Sequence, residues 1–261
     1  MSHKKVYINR RLAFYGAPGA SSQFWGNHWE NQDWRAWLDG SKSGALGHPE
    51  ELFARYLPKE GRILEAGCGL GQIVVALRAR GYDAEGVEFS EKTVSMVKQY
   101  LGECPIQVGD VRNLDYPDNH FSAYISLGVM EHFEQGPEPI LKEAYRVLRD
   151  SGYALISVPR IHSIRKVKTW LGFYSGAPAG DFYQYAFEGG DFEDILRKEG
   201  FSVEHRHYYG SVKGIKDEVA LFNFFYKRNR ISPEMLDRIE RSRLLNRLAS
   251  HMVLFVARKR L

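Results

Sequence analysis

The chain has 261 residues, of which 44% are hydrophobic and 26% charged, with a formal net charge of +4. This length suits one large α/β domain or two small ones, and the composition excludes a disordered or fibrous protein. No apolar run approaches the ~20 residues of a membrane-spanning helix, and the basic N-terminus lacks the apolar core of a signal peptide. The two cysteines, Cys68 and Cys104, have no metal-ligand spacing, so we predict no metal site and a reducing, cytoplasmic location.

Residues 1–47 are predicted to form an irregular N-terminal arm rich in aromatic side chains. The stretch FWGNHWENQDWRAWL contains Trp25, Trp29 and Trp34. These could close as a lid over a bound ligand, or they could simply anchor the arm on the domain. After a Gly/Ser-rich hinge, His48–Pro49 is predicted to open the first helix of the main domain, residues 48–261.

A regular alternation of strand and helix signals begins at Gly61. Five strands are predicted, in the stretches RILEAG, DAEGVEF, IQVGD, FSAYISLG and YALISVP. Between them lie helices that we expect to end at Gly81, to begin after Ser90 as the N-cap, and to end at Gly152. Such an alternation predicts a parallel sheet with helices on both faces and right-handed crossovers.

The pattern loosens in the last hundred residues. Two insertions are predicted, at about 160–189 and at 211–250, and the second contains a helix over 233–248 capped by Ser232. Asp191 is predicted to cap a helix between the insertions. FSVEHRHYYG and HMVLFVARKR alternate like strands.

The stretch ILEAGCGLGQ, residues 63–72, combines a strand with a glycine-rich turn. Its glycines occupy three alternate positions: Gly67, Gly69 and Gly71. A dinucleotide site requires G-x-G-x-x-G, which Gln72 interrupts. Glu65 would repel a pyrophosphate by roughly 3 kcal/mol at ~6 Å and an effective dielectric of about 20, whereas it would attract an ammonium group. The turn therefore predicts a nucleoside ligand with a cationic tail.

Three further strand ends carry groups suited to such a ligand. Glu88 can accept hydrogen bonds from both ribose hydroxyls, and Phe89 can pack on an adenine face. Asp110 can accept from the adenine amino group, and Val111 offers its backbone N–H to the ring. The carbonyls of Leu127–Gly128 can hold an ammonium group. Taken singly, the acids could be a solvated strand end or a turn former, but sheet order brings all of them to one crevice.

These motifs resemble those of class I S-adenosylmethionine-dependent methyltransferases, most closely the small-molecule, quinone-biosynthesis-like branch (type 11). The resemblance rests on EAGCGLG, on the acid at Glu88, on GDV at 109–111 and on FSAYISLGVMEHF. It implies a Rossmann-like α/β fold, with a seven-stranded, mostly parallel sheet in the order 3-2-1-4-5-7-6 and the last strand antiparallel, and S-adenosyl-L-methionine as cofactor. The implied cofactor site comprises Glu65, Gly67, Cys68, Gly69, Gly71, Glu88, Phe89, Asp110, Val111, Leu127 and Gly128.

Methyl transfer from a sulfonium needs alignment and desolvation more than acid–base help at the leaving group. A hydroxyl acceptor does need a base, and His132 in the VMEHF segment is our candidate because imidazole titrates near neutral pH. Alternatively, His132 only lines the pocket. His162, His205 and His207 are weaker candidates.

The acceptor is predicted to be a small molecule bound through the first insertion. Aromatic residues there suggest a ring-bearing or apolar acceptor: Tyr174, Phe182, Tyr183, Tyr185 and Phe187. Basic residues suggest an anionic group on it, or else form a solvated face: Arg160, Arg165, Lys166 and Lys168. The helix at 233–248 carries Met235, Ile239, Leu244, Leu245 and Leu248, and it could contact a membrane surface or a partner, or bury one face on the domain.

Other functions remain open from the sequence. RNA or protein could be the acceptor, but the stretch LGVM after the fourth strand lacks the N/D-P-P-Y/F tetrapeptide of many base- and amine-modifying relatives, which disfavours nucleic acid. A non-catalytic S-adenosylmethionine-binding protein would fill the same cofactor stations. Glu65 and Gln72 argue against an NAD-dependent oxidoreductase. The sequence does not indicate an oligomeric state.

Overall fold

Two β-sheets organise the chain in the computed structural model, which describes residues 3–16, 19–47 and 50–260. The strands in this part of the chain are β1 (Lys4–Ile8), β2 (Arg11–Tyr15), β3 (Arg62–Ala66), β4 (Asp83–Glu88), β5 (Ile106–Val108), β6 (Phe121–Leu127), β7 (Leu148–Pro159), β8 (Phe182–Phe187), β9 (Phe201–Tyr209) and β10 (Met252–Lys259). The helices are α1 (Ser22–Glu30), α2 (Trp34–Lys42), α3 (Glu50–Tyr56), α4 (Gln72–Ala79), α5 (Glu91–Leu101), α6 (Glu138–Val147), α7 (Ser163–Trp170), α8 (Gly189–Lys198), α9 (Ser211–Glu218), α10 (Ala220–Lys227), α11 (Pro233–Arg241) and α12 (Arg243–Ala249), with a 3₁₀ turn at Met130–His132.

The main sheet has seven strands in the order β5-β4-β3-β6-β7-β10-β9. Counted within this sheet, the order is 3-2-1-4-5-7-6, which confirms the predicted fold. β10 runs antiparallel to β7 and β9, whereas the pairs formed by β3 to β7 are parallel. Every parallel strand therefore ends at the same edge of the sheet, which we call the carboxyl edge.

Helices cover both faces of this sheet because successive strand residues point to opposite sides. In β3, Ile63 packs into the core formed with α2 to α5, and its neighbour Leu64 packs into the core formed with α6 and α8. Both side chains are fully buried. Burying a side chain of this size contributes about 1.5–3 kcal/mol.

The N-terminal arm is not irregular, contrary to the prediction. β1 and β2 form a hairpin, and β2 pairs with β8, so residues of the arm and of the first insertion build one three-stranded sheet. The hairpin turns at Asn9 and Arg10, with φ of 48° and 62°. Glycine usually occupies one of these positions, and its absence hid the hairpin from sequence analysis. The predicted helix start at His48–Pro49 lies outside the described residues.

Several element boundaries also differ from the predictions. α6 ends at Val147 rather than at Gly152, because Leu148 joins the sheet opposite Phe121. Glu188, not Asp191, occupies the N-cap of α8. The helix predicted over 233–248 is broken at Ser242, whose hydroxyl accepts a hydrogen bond from the Leu245 N–H and caps α12.

Two predicted N-caps are confirmed. The Ser90 hydroxyl caps α5 through the Thr93 N–H, and the Ser232 hydroxyl caps α11 through the Met235 N–H. Among the described residues, no helix combines the length and apolarity that crossing a membrane requires.

Candidate active site

A cavity of about 490 Å³ opens at the carboxyl edge, where β3, β4 and β6 end. In open α/β sheets, ligands bind at this edge. Its wall contains Ala20, Trp25, Trp29, Gly67, Gly69, Glu88, Phe89, Asp110, Val111, Arg112, Leu127, Gly128, Val129, His132, Phe133, Glu134 and Gln135. Eight of the predicted cofactor residues, and His132, are therefore together in one wall.

The glycine turn brings backbone close to the cavity. Gly67 and Gly69 have φ of 78° and 53° and lie in the left-handed region that favours glycine. A Cβ on Gly67 would come within 2.5 Å of Val129 Cγ2, and one on Gly69 within 2.8 Å of Trp29 Cζ2. Side chains at these positions would clash with the cavity wall, so the turn requires glycine at both.

Glu88 is held in place by backbone donors. Its Oε2 accepts a hydrogen bond from the Gly69 N–H at 3.0 Å, and its Oε1 accepts one from the Ser90 N–H at 2.9 Å. The side chain is buried, and burial raises its pKa while these two donors lower it. Each carboxylate oxygen has a second lone pair, so the anchored group can still accept from a ligand hydroxyl.

The next strand end forms an ion pair in the wall. Arg112 binds the Asp110 carboxylate through Nε and Nη2, with an Nη2–Oδ2 distance of 2.6 Å. The hydrogen bonds from Arg112 lower the pKa of Asp110. Val111 is buried beside the pair. The ring of Phe89, which follows the neighbouring strand β4, is exposed.

Three predicted cofactor residues lie outside the wall. Gly71 faces Ile106, whose Cδ1 would lie 2.0 Å from a Cβ at this position, and Cys68 is buried, which raises the pKa of its thiol. Glu65 is also buried behind the turn, and its Oε2 has no hydrogen-bond partner among the described residues. Burial raises its pKa to about 8, against a smaller opposite effect of a hydrogen bond with the Val74 backbone. Their contact with the cofactor stays a prediction.

The wall itself is rich in carboxyl groups. It contains Glu88, Asp110 and Glu134, against the single guanidinium of Arg112 that already pairs with Asp110. Such a surface attracts a cation and repels a pyrophosphate. The electrostatic preference expected of Glu65 is therefore carried by side chains of the wall.

His132 reaches the cavity from the 3₁₀ turn after β6. Its Nδ1 lies 2.8 Å from the carbonyl oxygen of Tyr183. A carbonyl can only accept, so Nδ1 carries the proton, and Nε2 has a free lone pair in the neutral ring. Burial lowers the pKa of His132 to about 4, slightly offset by this hydrogen bond. The imidazole is therefore neutral at physiological pH.

Helix α1 places Trp25 and Trp29 in the cavity wall, where their closing as a lid over a ligand stays a prediction. The Trp25 ring lies edge-on to His132 at 4.9 Å between centroids, and it stacks on Trp29 at 6.1 Å. Trp34 is instead buried in the core beside Tyr100. The lid interpretation thus applies to Trp25 and Trp29, and the anchoring interpretation to Trp34.

The basic residues of the first insertion bind internal partners. The Arg165 Nε donates to Glu218, Lys168 donates to the same carboxylate, Lys166 pairs with Glu188, and Arg160 donates to the Ser250 hydroxyl. None of these four cations belongs to the cavity wall as the described residues define it. These contacts give no support to an anchor for an anionic acceptor group, which stays a prediction.

Two of the insertion's five predicted aromatic residues, Tyr183 and Tyr185, contact residues of the wall, and the Tyr185 hydroxyl donates to the Glu134 carbonyl at 3.0 Å. Tyr183 lies edge-on to His132 at 5.1 Å between ring centroids. The Tyr174 hydroxyl donates to Glu218, Phe182 packs on Tyr15, and Phe187 is buried in the core. The other candidate histidines, His162, His205 and His207, are likewise not wall residues in the described part of the chain.

Sequence reasoning missed Glu131, the neighbour of His132. It is buried, and its Oε2 has no hydrogen-bond partner in the described structure. Burial raises its pKa to about 8. A Cβ on the wall residue Gly128 would lie 3.5 Å from Glu131 Oε1, so the carboxyl group lies directly behind the cavity wall. An acid directly before the candidate base in VMEHF was the available signal.

Comparison with known proteins agrees with this geometry. Residues 64–156 match the family model described as a methyltransferase domain, type 11. The chain is 27% identical over 167 residues to a chloroplastic 2-methyl-6-phytyl-1,4-hydroquinone methyltransferase of Oryza sativa subsp. japonica, covering 62% of this chain and 46% of that protein. It is 25% identical over 175 residues to a demethylmenaquinone methyltransferase of Thermotoga maritima, covering 59% and 76%.

The fold is also found among solved structures. A SAM-dependent methyltransferase from Methanosarcina mazei matches with a TM-score of 0.58 at 15% identity, over 82% of this chain and 99% of that one. A second, from Mesorhizobium loti, matches with a TM-score of 0.54 at 17% identity, over 85% and 100%. At such identities the match establishes the fold alone.

The sheet order and the cavity at its carboxyl edge are those of a class I methyltransferase fold. The family match over residues 64–156 and the named relatives support an S-adenosylmethionine-dependent methyltransferase of the type 11 branch. The cofactor that this family implies is S-adenosyl-L-methionine. The wall fits it, because an anchored carboxylate, two side-chain-free backbone positions and a carboxyl-rich surface meet at one cavity.

Proposed function

We propose that the chain transfers a methyl group from S-adenosyl-L-methionine to a small, apolar, ring-bearing acceptor, either at a hydroxyl oxygen of a hydroquinone-type molecule or at the nitrogen of an amine. The observation that carries the proposal is that one cavity is lined by two sets of residues. Glu88 and the glycine turn suit the cofactor, and Trp25, Trp29 and His132 line the same cavity. Relatives named for hydroquinone and demethylmenaquinone methylation support the acceptor class.

The cofactor side of the cavity would hold a nucleoside and an amino-acid tail. Glu88 would accept from the ribose hydroxyls, and the Val111 N–H and Asp110 would bind the base. The Leu127 and Gly128 carbonyls would accept from the ammonium group. When bound, the cofactor supplies a methyl group on a positively charged sulfur, a bond already activated for displacement.

The acceptor side would use His132 and the tryptophan lid. Trp25 and Trp29 would exclude water and stabilise positive charge through their ring faces, an attraction of about 0.5–2 kcal/mol. Nε2 of His132 would take the proton of an acceptor hydroxyl as the new C–O bond forms and the S–CH₃ bond breaks, with its electron pair remaining on sulfur. An amine acceptor would have to enter neutral and would lose its proton by the same route.

Calorimetric titration tests the cofactor half of this proposal. S-adenosylmethionine and S-adenosylhomocysteine should bind and NAD should not, because the carboxyl-rich wall repels a pyrophosphate. Glu88→Gln should weaken binding by at least about tenfold, since hydrogen bonds to a charged group contribute about 1.5–3 kcal/mol. Glu91→Gln, an exposed change in the first turn of α5, is the matched control. Tight uptake of NAD without uptake of the sulfonium would contradict the proposal.

A methyl-transfer assay tests the acceptor half. Incubation with methyl-labelled cofactor and a short-chain hydroquinone should give a labelled product that accumulates with enzyme concentration. Binding of the cofactor without transfer to hydroquinones, phenols or amines would instead identify a non-catalytic binding protein. Label found on RNA or on protein would move the acceptor to those classes.

A further inference from the structure

Three consecutive helices leave most of their side chains exposed. In α10, α11 and α12, whose residues are all described, Ala249 is the only buried residue. Large apolar side chains are exposed instead: Leu221, Phe224, Phe225, Met235, Leu244 and Leu248, with Leu221 at 66% and Leu244 at 65%. The helix predicted over 233–248 thus half-buries Leu236, Ile239 and Leu245 on the domain and leaves Met235, Leu244 and Leu248 exposed. A helix of a globular domain normally buries an apolar stripe. The exposed apolar side chains of these helices have no such packing partner among the described residues.

The end of α7 extends the same exposed apolar character. Trp170 is 84% exposed and Phe173 is 68% exposed. α7 packs on α12, and the Lys168 ammonium donates to the Glu218 carbonyl at 2.6 Å, directly before α10 begins. We call residues 163–173 and 220–249 together the basic-apolar surface.

Positive charge is concentrated around this surface. Segments 163–173 and 211–250 contain twelve Lys and Arg residues against five Asp and Glu residues, a net charge of +7. The whole chain carries +4, so the remaining residues carry −3. The exposed apolar side chains are therefore surrounded by an excess of cations, while the rest of the molecule is slightly acidic.

Topology places this surface at the same edge of the sheet as the cavity. α7 follows the carboxyl end of β7, α9 follows that of β9, and β10 begins after α12 and runs antiparallel. Residues 160–173 and 210–250 therefore project from the carboxyl edge. The cavity opens at that edge beside β3, β4 and β6.

We infer that the basic-apolar surface docks on an anionic lipid surface. Exposed Trp and Phe side chains among cations match the interfacial region of a bilayer, where aromatic rings lie at headgroup depth. Lys and Arg side chains close to an anionic leaflet are attracted by its negative surface potential. Protein interfaces are depleted of Lys and of charge at their core, so the charge of this face favours lipid over a protein partner.

Vesicle sedimentation with the full chain tests this inference without cofactor or acceptor, so its outcome is independent of the proposed activity. The chain should bind phosphatidylcholine vesicles that contain about a third phosphatidylglycerol at least about tenfold more tightly than pure phosphatidylcholine vesicles. Binding should weaken as salt is raised, because the Debye length falls.

Two double variants locate the contact. Leu221→Ser/Phe224→Ser and Trp170→Ser/Phe173→Ser should each lower binding to anionic vesicles by about tenfold or more. Trp37→Ser, a change at an exposed tryptophan of α2, is the matched control and should bind like the wild type. Circular dichroism of each variant should show the wild-type helix content, which keeps a loss of binding separate from misfolding.

Three results would overturn the inference: equal binding to neutral and anionic vesicles, no binding to either, or unchanged binding by both double variants. Light scattering of the free chain adds a fourth. If the chain self-associates and Leu221→Ser/Phe224→Ser makes it monomeric, a second copy of the chain covers this face instead of lipid.

Discussion

At the scale of single residues, His132 owes its properties to one hydrogen bond and to burial. The Tyr183 carbonyl holds the proton on Nδ1, and burial lowers the pKa to about 4. The neutral ring keeps Nε2 able to accept a proton at neutral pH, but with a pKa of about 4 it is a weaker base than the near-neutral titration expected from the sequence.

His132→Ala should therefore lower turnover at least about tenfold while cofactor affinity stays within about threefold. In the wild type, the acid limb of the turnover profile should fall near pH 4, because protonation of Nε2 below the folded pKa of about 4 abolishes proton acceptance. Steady-state kinetics against pH measure both, with His205→Ala as control. Unchanged turnover, or an acid limb at the ordinary histidine pKa, would remove His132 from the mechanism.

Glu65 makes a second prediction at this scale, on stability. Burial raises its pKa from 4.5 to about 8 in the folded chain. Between these values the unfolded chain has released the proton and the folded chain keeps it, so the free energy of unfolding decreases as pH rises. Glu65→Gln should flatten part of this slope between about pH 5 and about pH 8.

Denaturant unfolding at several pH values measures the slope. Part of it should persist in the variant, since the pKa of Glu131 is also raised to about 8. Glu91→Gln, at an exposed position, should leave the slope as it is in the wild type. A Glu65→Gln slope equal to the wild-type slope would show that Glu65 is ionised in the folded protein.

At the scale of elements, residues of the N-terminal arm and of the first insertion meet in one cluster around a carboxylate of α9. Lys5 of β1, Arg165 of α7 and Tyr174 all bind the Glu218 carboxylate of α9, with Lys5 Nζ at 2.5 Å and Arg165 Nε at 2.9 Å. Burial acts to raise the pKa of Glu218, but Arg165 and Lys5 together lower it to about 2. The carboxylate thus joins three elements that are far apart in the chain.

Glu218→Gln should destabilise the chain by about 3–5 kcal/mol, because it leaves buried cations without their counter-charge. Thermal or denaturant unfolding near neutral pH measures the loss. Asp237→Asn breaks the exposed pair with Arg241 and should cost far less, because solvent screens that pair. Equal effects of the two substitutions would show that the buried cluster contributes no more than a surface ion pair.

The tryptophan lid is testable at the same scale. Because Trp29 contacts the Gly69 turn, binding of S-adenosylhomocysteine should change its emission, whereas Trp34 in the core should not respond. The fluorescence change should therefore be largely lost in a Trp25→Phe/Trp29→Phe variant and kept in Trp34→Phe. A change that persists in the double variant would remove α1 from the cofactor site.

Sequence reasoning recovered the elements whose signals are local. Hydrophobic periodicity and the caps at Ser90 and Ser232 predicted the main sheet and its helices, and the glycine turn and the strand ends predicted eight of the seventeen wall residues. The β2–β8 pairing escaped because it joins residues about 170 positions apart, and no local pattern encodes such a contact. The Glu218 cluster escaped for the same reason: its cations looked like a solvated face until the fold brought a carboxylate from another helix to them.

At the scale of the whole molecule, charge and topology act together. The acidic wall attracts a cationic cofactor, while the basic-apolar surface, with its net charge of +7 in 163–173 and 211–250, lies at the same carboxyl edge. If this surface rests on anionic lipid, the cavity opens beside the membrane, where long-chain hydroquinones partition. Access of such an acceptor should then depend on docking, whereas access of a water-soluble acceptor should not.

Leu221→Ser/Phe224→Ser should therefore methylate a short-chain, water-soluble hydroquinone at the wild-type rate, because neither residue belongs to the cavity wall. On a long-chain hydroquinone in anionic vesicles it should lose at least about fivefold, since fewer molecules are docked. Initial rates of methyl transfer, with Trp37→Ser as control, measure both. If the variant loses activity equally on the two acceptors, the substitutions affect the catalytic site. If the variant methylates both acceptors at the wild-type rate, the acceptor reaches the cavity from solution.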